Sequence, residues 1–211
     1  MRRYRNDKLS VHSFRCTDAR VPRVLGRSRR KRGWRARLLL AAVVLAIIVP
    51  GCGQRPPPDA VGEGRPFPPL RLTGLLGGDV AIDDYRGKLV VLNVWATWCA
   101  PCRQELPSLE RLRGRLDHER FAVIALSADS DRDLASEYLR ERGVSLPSFI
   151  DHDGRVVKEI LGVRVFPDTF IISPQGVVLR RLVGEQKWDT PAMIAALQAA
   201  ADGDPSLLRG V

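Results

Sequence analysis

Lys88–Pro107 reads KLVVLNVWATWCAPCRQELP, and the fold turns on this stretch. Its first half, Lys88–Trp95, is a near-continuous apolar run of the kind found in a central strand buried on both faces. Pro101 follows where a first helical turn tolerates proline, since the N–H it lacks would have no partner there. A helix is therefore expected over Pro101–Leu116, with Pro107 inside it removing a hydrogen bond and kinking it. Cys99 and Cys102 stand where the strand ends and the helix begins.

Working outward, Phe121–Ser127 (FAVIALS) reads as a second buried strand. Two such strands joined through a helix imply a right-handed parallel crossover. Upstream, Leu70–Leu72 and Val80–Ile82 are short strand candidates parted by the turn Gly77-Gly78-Asp79. Downstream, Asp133–Arg142 has helical composition and Gly143 stops it. Ser148–Asp151 reads as a short strand, and Val156–Leu161 as a short helix. Thr169–Ile172 and Val177–Leu182 flank the turn Ser173-Pro174-Gln175-Gly176, and the Ala-rich Thr190–Ala201 closes as a helix. The expected class is α/β: a mixed central sheet flanked by helices on both faces, with an N-terminal β extension.

The net charge of +10 over 211 residues suggests nucleic acid or a membrane until it is mapped. Residues 1–52 hold 14 Lys/Arg against 2 Asp/Glu, whereas residues 53–211 hold 20 against 22. The folded part thus lacks the basic surface that nucleic acid would require. Arg27–Arg37 (RSRRKRGWRAR) precedes twelve uncharged residues, Leu38–Val49. That run is short for a bilayer span but suits the h-region of a secretory signal. The positive flank stays in the cytoplasm, so the chain beyond Pro50 is expected outside it, in the bacterial cell envelope. Val49-Pro50-Gly51-Cys52 resembles a bacterial lipobox, which makes Cys52 the candidate lipidation site. Three fates stay open: lipoprotein, uncleaved anchor and cleaved signal.

The expected organisation is a basic leader over 1–37 and a hydrophobic signal or anchor over 38–52. A Pro/Gly-rich linker comes next over 53–65, overlapping a spacer-like stretch Gln54–Pro69, then a folded domain over 66–201 and a tail over 202–211.

Four cysteines exclude a multi-disulfide scaffold, and the isolation of Cys16 and Cys52 excludes a four-cysteine zinc ribbon. Cys99 falls at a helix N-terminus, where free N–H groups and the macrodipole favour the thiolate. Cys102, one turn on, is within reach to close a disulfide. Attack by Cys99 on a target disulfide and resolution by Cys102 is the chemistry this pair offers. Helical spacing from Cys102 selects Glu105, Leu109 and Leu112 as one stripe, so Glu105 is an acid on the face expected to be buried. Desolvation would raise its pKa and let it exchange a proton with Cys102. The alternative is a first-turn glutamate facing water. Phe166-Pro167-Asp168-Thr169 places a proline at the start of a strand, which asks for a special turn and is compatible with a cis bond. Trp95 reads as core. His118 and His152 read as surface histidines, since they carry no metal spacing.

Lys88–Pro107 and Gly162–Phe170 together resemble the TlpA/ResA-like, membrane-anchored branch of the thioredoxin family, and are similar to the cytochrome c maturation thioredoxins. The likeness runs over about residues 66–200 and implies a thioredoxin-like fold. It implies that Pro167 is a cis-proline beside the disulfide, that Phe166 offers backbone to a bound target, and that Glu105 is the family's buried acid. Trp98, Ala100 and Pro101 then lie on the target-facing surface. The implied function is an extracytoplasmic protein-disulfide reductase. Its partners would be exported clients, among them the haem-site cysteines of apocytochrome c, and a membrane thiol electron carrier. No bound cofactor is implied. Alternatives are a disulfide oxidant or isomerase using the same residues, a peroxiredoxin-like peroxidase suggested by Thr97 two residues before Cys99, and a copper-binding assembly factor.

Overall fold

The computed structural model describes residues 61–211, so the basic leader, the apolar run, Cys16 and Cys52 lie outside the described residues. The strands are β1 (Arg71–Gly74), β2 (Val80–Ala81), β3 (Leu89–Trp95), β4 (Phe121–Ser127), β5 (Ser148–Ile150), β6 (Asp168–Ile172) and β7 (Val178–Val183). The helices are α1 (Ala100–Arg113), α2 (Arg132–Glu141) and α3 (Pro191–Ala201). One seven-stranded sheet runs β2-β1-β5-β4-β3-β6-β7. β3, β4 and β5 are parallel, while β6, β7, β1 and β2 add antiparallel pairs at the two sides. The mixed sheet with a β extension at its N-terminal end is thus the one expected.

β3 is central because both of its faces are apolar. Leu89, Val91 and Trp95 point into one core, and Val90, Leu92 and Val94 into the other. The period-2 alternation of a strand therefore places Asn93 on the Leu89–Trp95 face. The three α-helices among the described residues pack on that face: Leu106, Leu109 and Leu112 of α1, Ala135 and Leu139 of α2, Met193, Ala196 and Leu197 of α3. The other face is covered differently. Val156–Leu161, expected as a short helix, is a single π turn at Arg155–Ile160, closed by Leu161 N–H donating to Val156 O at 2.8 Å. It shares the cover with Val61, Phe67, Leu70 and Leu72. Helical cover is thus unequal among the described residues, three α-helices against the π turn and the 3-10 turn Ile82–Tyr85.

Local signals explain the boundaries. Thr190 caps α3 by accepting from Met193 N–H, with Pro191 in the first turn, and Asp131 caps α2 by accepting from Asp133 and Leu134 N–H. Gly176 holds the β6–β7 turn at φ 79°, and a Cβ there would strike the Arg86 guanidinium. Pro107 sits inside α1 without ending it.

Two stretches depart from expectation. Residues 61–69, read as the end of a spacer, are docked: Gly64 and Arg65 exchange backbone hydrogen bonds with Val178, and the Phe67 ring meets Phe170 edge-on at 5.7 Å. Apolar side chains in a Pro-rich stretch were the cue, since Val61 and Phe67 have a core to enter. Residues 202–211, read as a tail, form a 3-10 turn at Pro205–Arg209 that buries Leu208 in the helical core. Among the described residues no helix is long and apolar enough to cross a membrane.

Phe67→Ala should lower the unfolding free energy by about 3 kcal/mol, measured by urea titration, because a buried ring leaves a cavity behind. Exchange activity of the folded fraction should be unchanged, since the ring lies on the sheet face away from α1.

Candidate active site

Cys99 is the N-cap of α1, and its sulfur does what a serine or aspartate oxygen does at other helix starts. Sγ accepts the Cys102 N–H at 3.2 Å. A backbone donor and the positive end of the helix therefore both favour negative charge on this sulfur. Cys99 and Cys102 are joined as a disulfide with Cα atoms 5.3 Å apart. Cys102 is fully buried, whereas Cys99 keeps 6% of its surface, so Cys99 is the sulfur a target can reach. The preceding loop is fixed by Asp129, which accepts from Thr97 N–H at 3.0 Å and from the hydroxyls of Thr97 and Ser127, both at 2.7 Å. The backbone N–H and the hydroxyl of Thr97 thus both donate to Asp129.

Around Cys99 the surface is apolar and open. Ala100 and Pro101 are exposed, and Trp98 is 64% exposed with its ring edge-on to Phe166 at 5.2 Å. The Phe166–Pro167 peptide is cis, as the resemblance implied. Val165, one residue earlier, is 57% exposed. Trp98 and Phe166 bring the two distant motifs together across 5.2 Å, which the helix and the β6 strand alone would not reveal.

Asp168 is the residue whose part the sequence left undefined. Its carboxylate is 1% exposed and accepts from Arg181 Nη2 at 2.6 Å and Nε at 3.1 Å, a forked pair across β6 and β7. The guanidinium also donates to Gly162 O and lies over the Phe170 ring at 4.8 Å. One arginine thereby pins both ends of the segment carrying Pro167.

Glu105 is 1% exposed, on the α1 stripe with Leu109 and Leu112. The burial expected from helical spacing is present, and the water-facing alternative is not. Oε1 accepts from Asn93 Nδ2 at 2.5 Å, and Oε2 accepts from Gln186 N–H at 3.0 Å and Trp188 Nε1 at 3.2 Å. Burial pushes the carboxyl up from 4.5 to about 7, and Glu185 adds to this, against the pull of the three donors. Asn93, Thr169, Gln186 and Trp188 were not singled out from the sequence. The Asn93 signal was available as the one polar residue in LVVLNVW, whereas Gln186 and Trp188 arrive through a loop that no local pattern marks.

His118 Nε2 donates to Arg113 O and His152 is exposed, both consistent with surface roles. Trp95 is core, stacked at a tilt against Tyr138. Among the described residues no three of His, Cys, Asp and Glu gather as a metal-binding group.

The AhpC/TSA family profile matches residues 64–181. The thiol–disulfide oxidoreductase ResA of Bacillus cereus is 30% identical over 155 residues, spanning 70% of this chain and 89% of that protein. The thioredoxin-like protein YneN of Bacillus subtilis is 33% identical over 139 residues, covering 61% of this chain and 80% of its own. Among solved structures, a putative thiol:disulfide interchange protein DsbE from Chlorobium tepidum superimposes with a TM-score of 0.60 at 29% identity. That likeness covers 67% of this chain and 98% of the other. The fold is thioredoxin-like.

The buried acid and the Arg181 fork each make a stability prediction. Between pH 4.5 and 7 the folded protein keeps a Glu105 proton that the unfolded chain has lost, so stability falls as pH rises through that window. Glu105→Gln should therefore unfold in urea later than wild type at pH 8, by about 2 kcal/mol, with the gap closing below pH 4.5. Arg181→Gln should cost about 2 kcal/mol, less than for a fully buried pair because Arg181 reaches water. Arg181→Gln with Asp168→Asn should recover most of it, measured by thermal melts.

Proposed function

The chain belongs to the AhpC/TSA family and is a thiol–disulfide oxidoreductase of the ResA kind, and from that premise we propose that it is an extracytoplasmic protein-disulfide reductase tethered to the bacterial membrane. The observation that carries the reading is a reachable Cys99 backed by a buried Cys102 and, one helical turn further in, by a buried acid half-protonated near neutral pH.

Cys99 Sγ attacks as thiolate on one sulfur of a client disulfide. That bond breaks, the other client sulfur leaves as thiolate and takes a proton from water, and a mixed disulfide remains. Cys102 then passes its proton to Glu105 and attacks Cys99 Sγ. The mixed disulfide breaks, the second client thiolate leaves, and the Cys99–Cys102 disulfide forms. Two electrons have gone to the client. A membrane thiol carrier returns two electrons, and Glu105 returns its proton to Cys102. Trp98, Ala100, Pro101 and Phe166 form the surface that receives the client beside Pro167. The asymmetric N-terminal charge, the apolar run and Cys52 support export and tethering. Resemblance supports the client class, apocytochrome c cysteines.

The reduction potential of the pair, set by equilibration with glutathione, separates this reading from an oxidant. A value near about −250 mV is expected, whereas one near about −120 mV would reverse the direction of flow. Cys99→Ser should abolish exchange, and Cys102→Ser should accumulate mixed disulfides with clients on non-reducing gels. Full turnover by Cys102→Ser would refute the two-cysteine route. Thiol trapping in intact cells should find the pair mostly reduced, and an oxidised resting pair would count against the reductase.

A further inference from the structure

Asn93 interrupts an otherwise apolar row, Leu89, Val91 and Trp95, on the β3 face that meets α1. Its Nδ2 gives one hydrogen to Glu105 Oε1 at 2.5 Å and the other to Thr169 Oγ1 at 2.9 Å. Its Oδ1 is buried with no hydrogen-bond partner among the described residues. Glu105 Oε2 already faces two donors, Gln186 N–H and Trp188 Nε1. A proton on Oε2 would collide with both. The neutral acid therefore carries its proton on Oε1, whose hydrogen-bond partner among the described residues is Asn93.

That neighbour, as oriented, is also a donor. Two donors cannot share one 2.5 Å contact. A half-turn of the amide resolves the conflict: Oδ1 accepts from the acid O–H, and the Thr169 hydroxyl, which can donate or accept, reverses to donate to Oδ1. Before the turn the far side holds only the unpartnered Oδ1, so no hydrogen bond there is broken when the amide turns. Protonation of Glu105 then favours the turned amide.

We propose that Asn93 is a positioning residue whose amide turns over with the Glu105 proton, donating to the carboxylate and accepting from the acid. The proton store thus stays hydrogen-bonded in both states, and its state is passed through Thr169 to the strand that follows Pro167. The proposal rests on the reading of Glu105 as the store for the Cys102 proton. Other ionisable groups bearing on Glu105 are Glu185 in the β7–α3 loop and, once reduced, Cys102 on α1. The sheet side offers only the uncharged Asn93 and Thr169, since Asp168 faces the opposite core with Arg181 and Phe170.

The test is a pH titration of the reduced, 15N-labelled wild-type protein by NMR, following the Trp188 indole and the Asn93 side-chain amide. Both should move with one shared midpoint. A Trp188 signal that titrates beside a fixed Asn93 amide would overturn the proposal while leaving the proton store intact. Both signals flat would overturn the proposal together with the reading beneath it. In parallel, Asn93→Ala should shift the pH profile of thiol exchange upward by about one unit, because the carboxylate loses a donor. A folded Asn93→Ala protein whose profile superimposes on wild type would also overturn it.

Discussion

The Glu105 carboxyl lies in a part of the core where only protein can solvate it, and three separate elements are arranged around that need. β3 supplies Asn93, the β7–α3 loop supplies Gln186 N–H and Trp188 Nε1, and Ser108 on α1 anchors the same loop by accepting Trp188 N–H. α1 cannot escape the arrangement. Burying Leu109 and Leu112 fixes its rotation, and that rotation carries Cys102 and Glu105 inward together, one turn apart. Buried sulfur and buried acid are consequences of a single packing decision.

How much of this could be read in advance depended on the range of the interaction. β3, α1 and their cysteines are local: an apolar run, a proline in a first turn and a helical stripe declare themselves within twenty residues. The burial of Glu105 followed from the same stripe. Its partners did not, because Gln186 and Trp188 lie 81 and 83 residues downstream and reach it through a loop with no period. Asp168 likewise had a visible position and an invisible partner, since register across β6 and β7 pairs it with Val183 in the ladder while Arg181 closes over it diagonally. Residues 61–69 were misjudged for a related reason. Proline content describes a chain with nothing to bind, and Phe67 had Phe170.

The segment bearing Pro167 is held with similar economy. Arg181 grips Asp168 after it and Gly162 O before it, while Gly184 N–H donates to Pro167 O from the end of β7. The loop that faces Trp98 is therefore braced from beneath by charge and from the side by backbone, leaving Phe166 and Val165 as its outward surface. Rigidity under an open apolar rim suits a surface that must meet a partner disulfide without rearranging.

β7 ends the sheet, and a terminal strand offers its unpaired amides to any passing strand. Here the chain covers that exposure with its own entrance. Gly64 and Arg65 take up Val178, Pro66 bridges to Val177, and the Glu63 carboxylate receives the Arg181 N–H and the Arg180 guanidinium. Proline and a charged side chain are poor templates for a further strand. This flank is thus already occupied, and it is kept from becoming a seed for cross-strand aggregation.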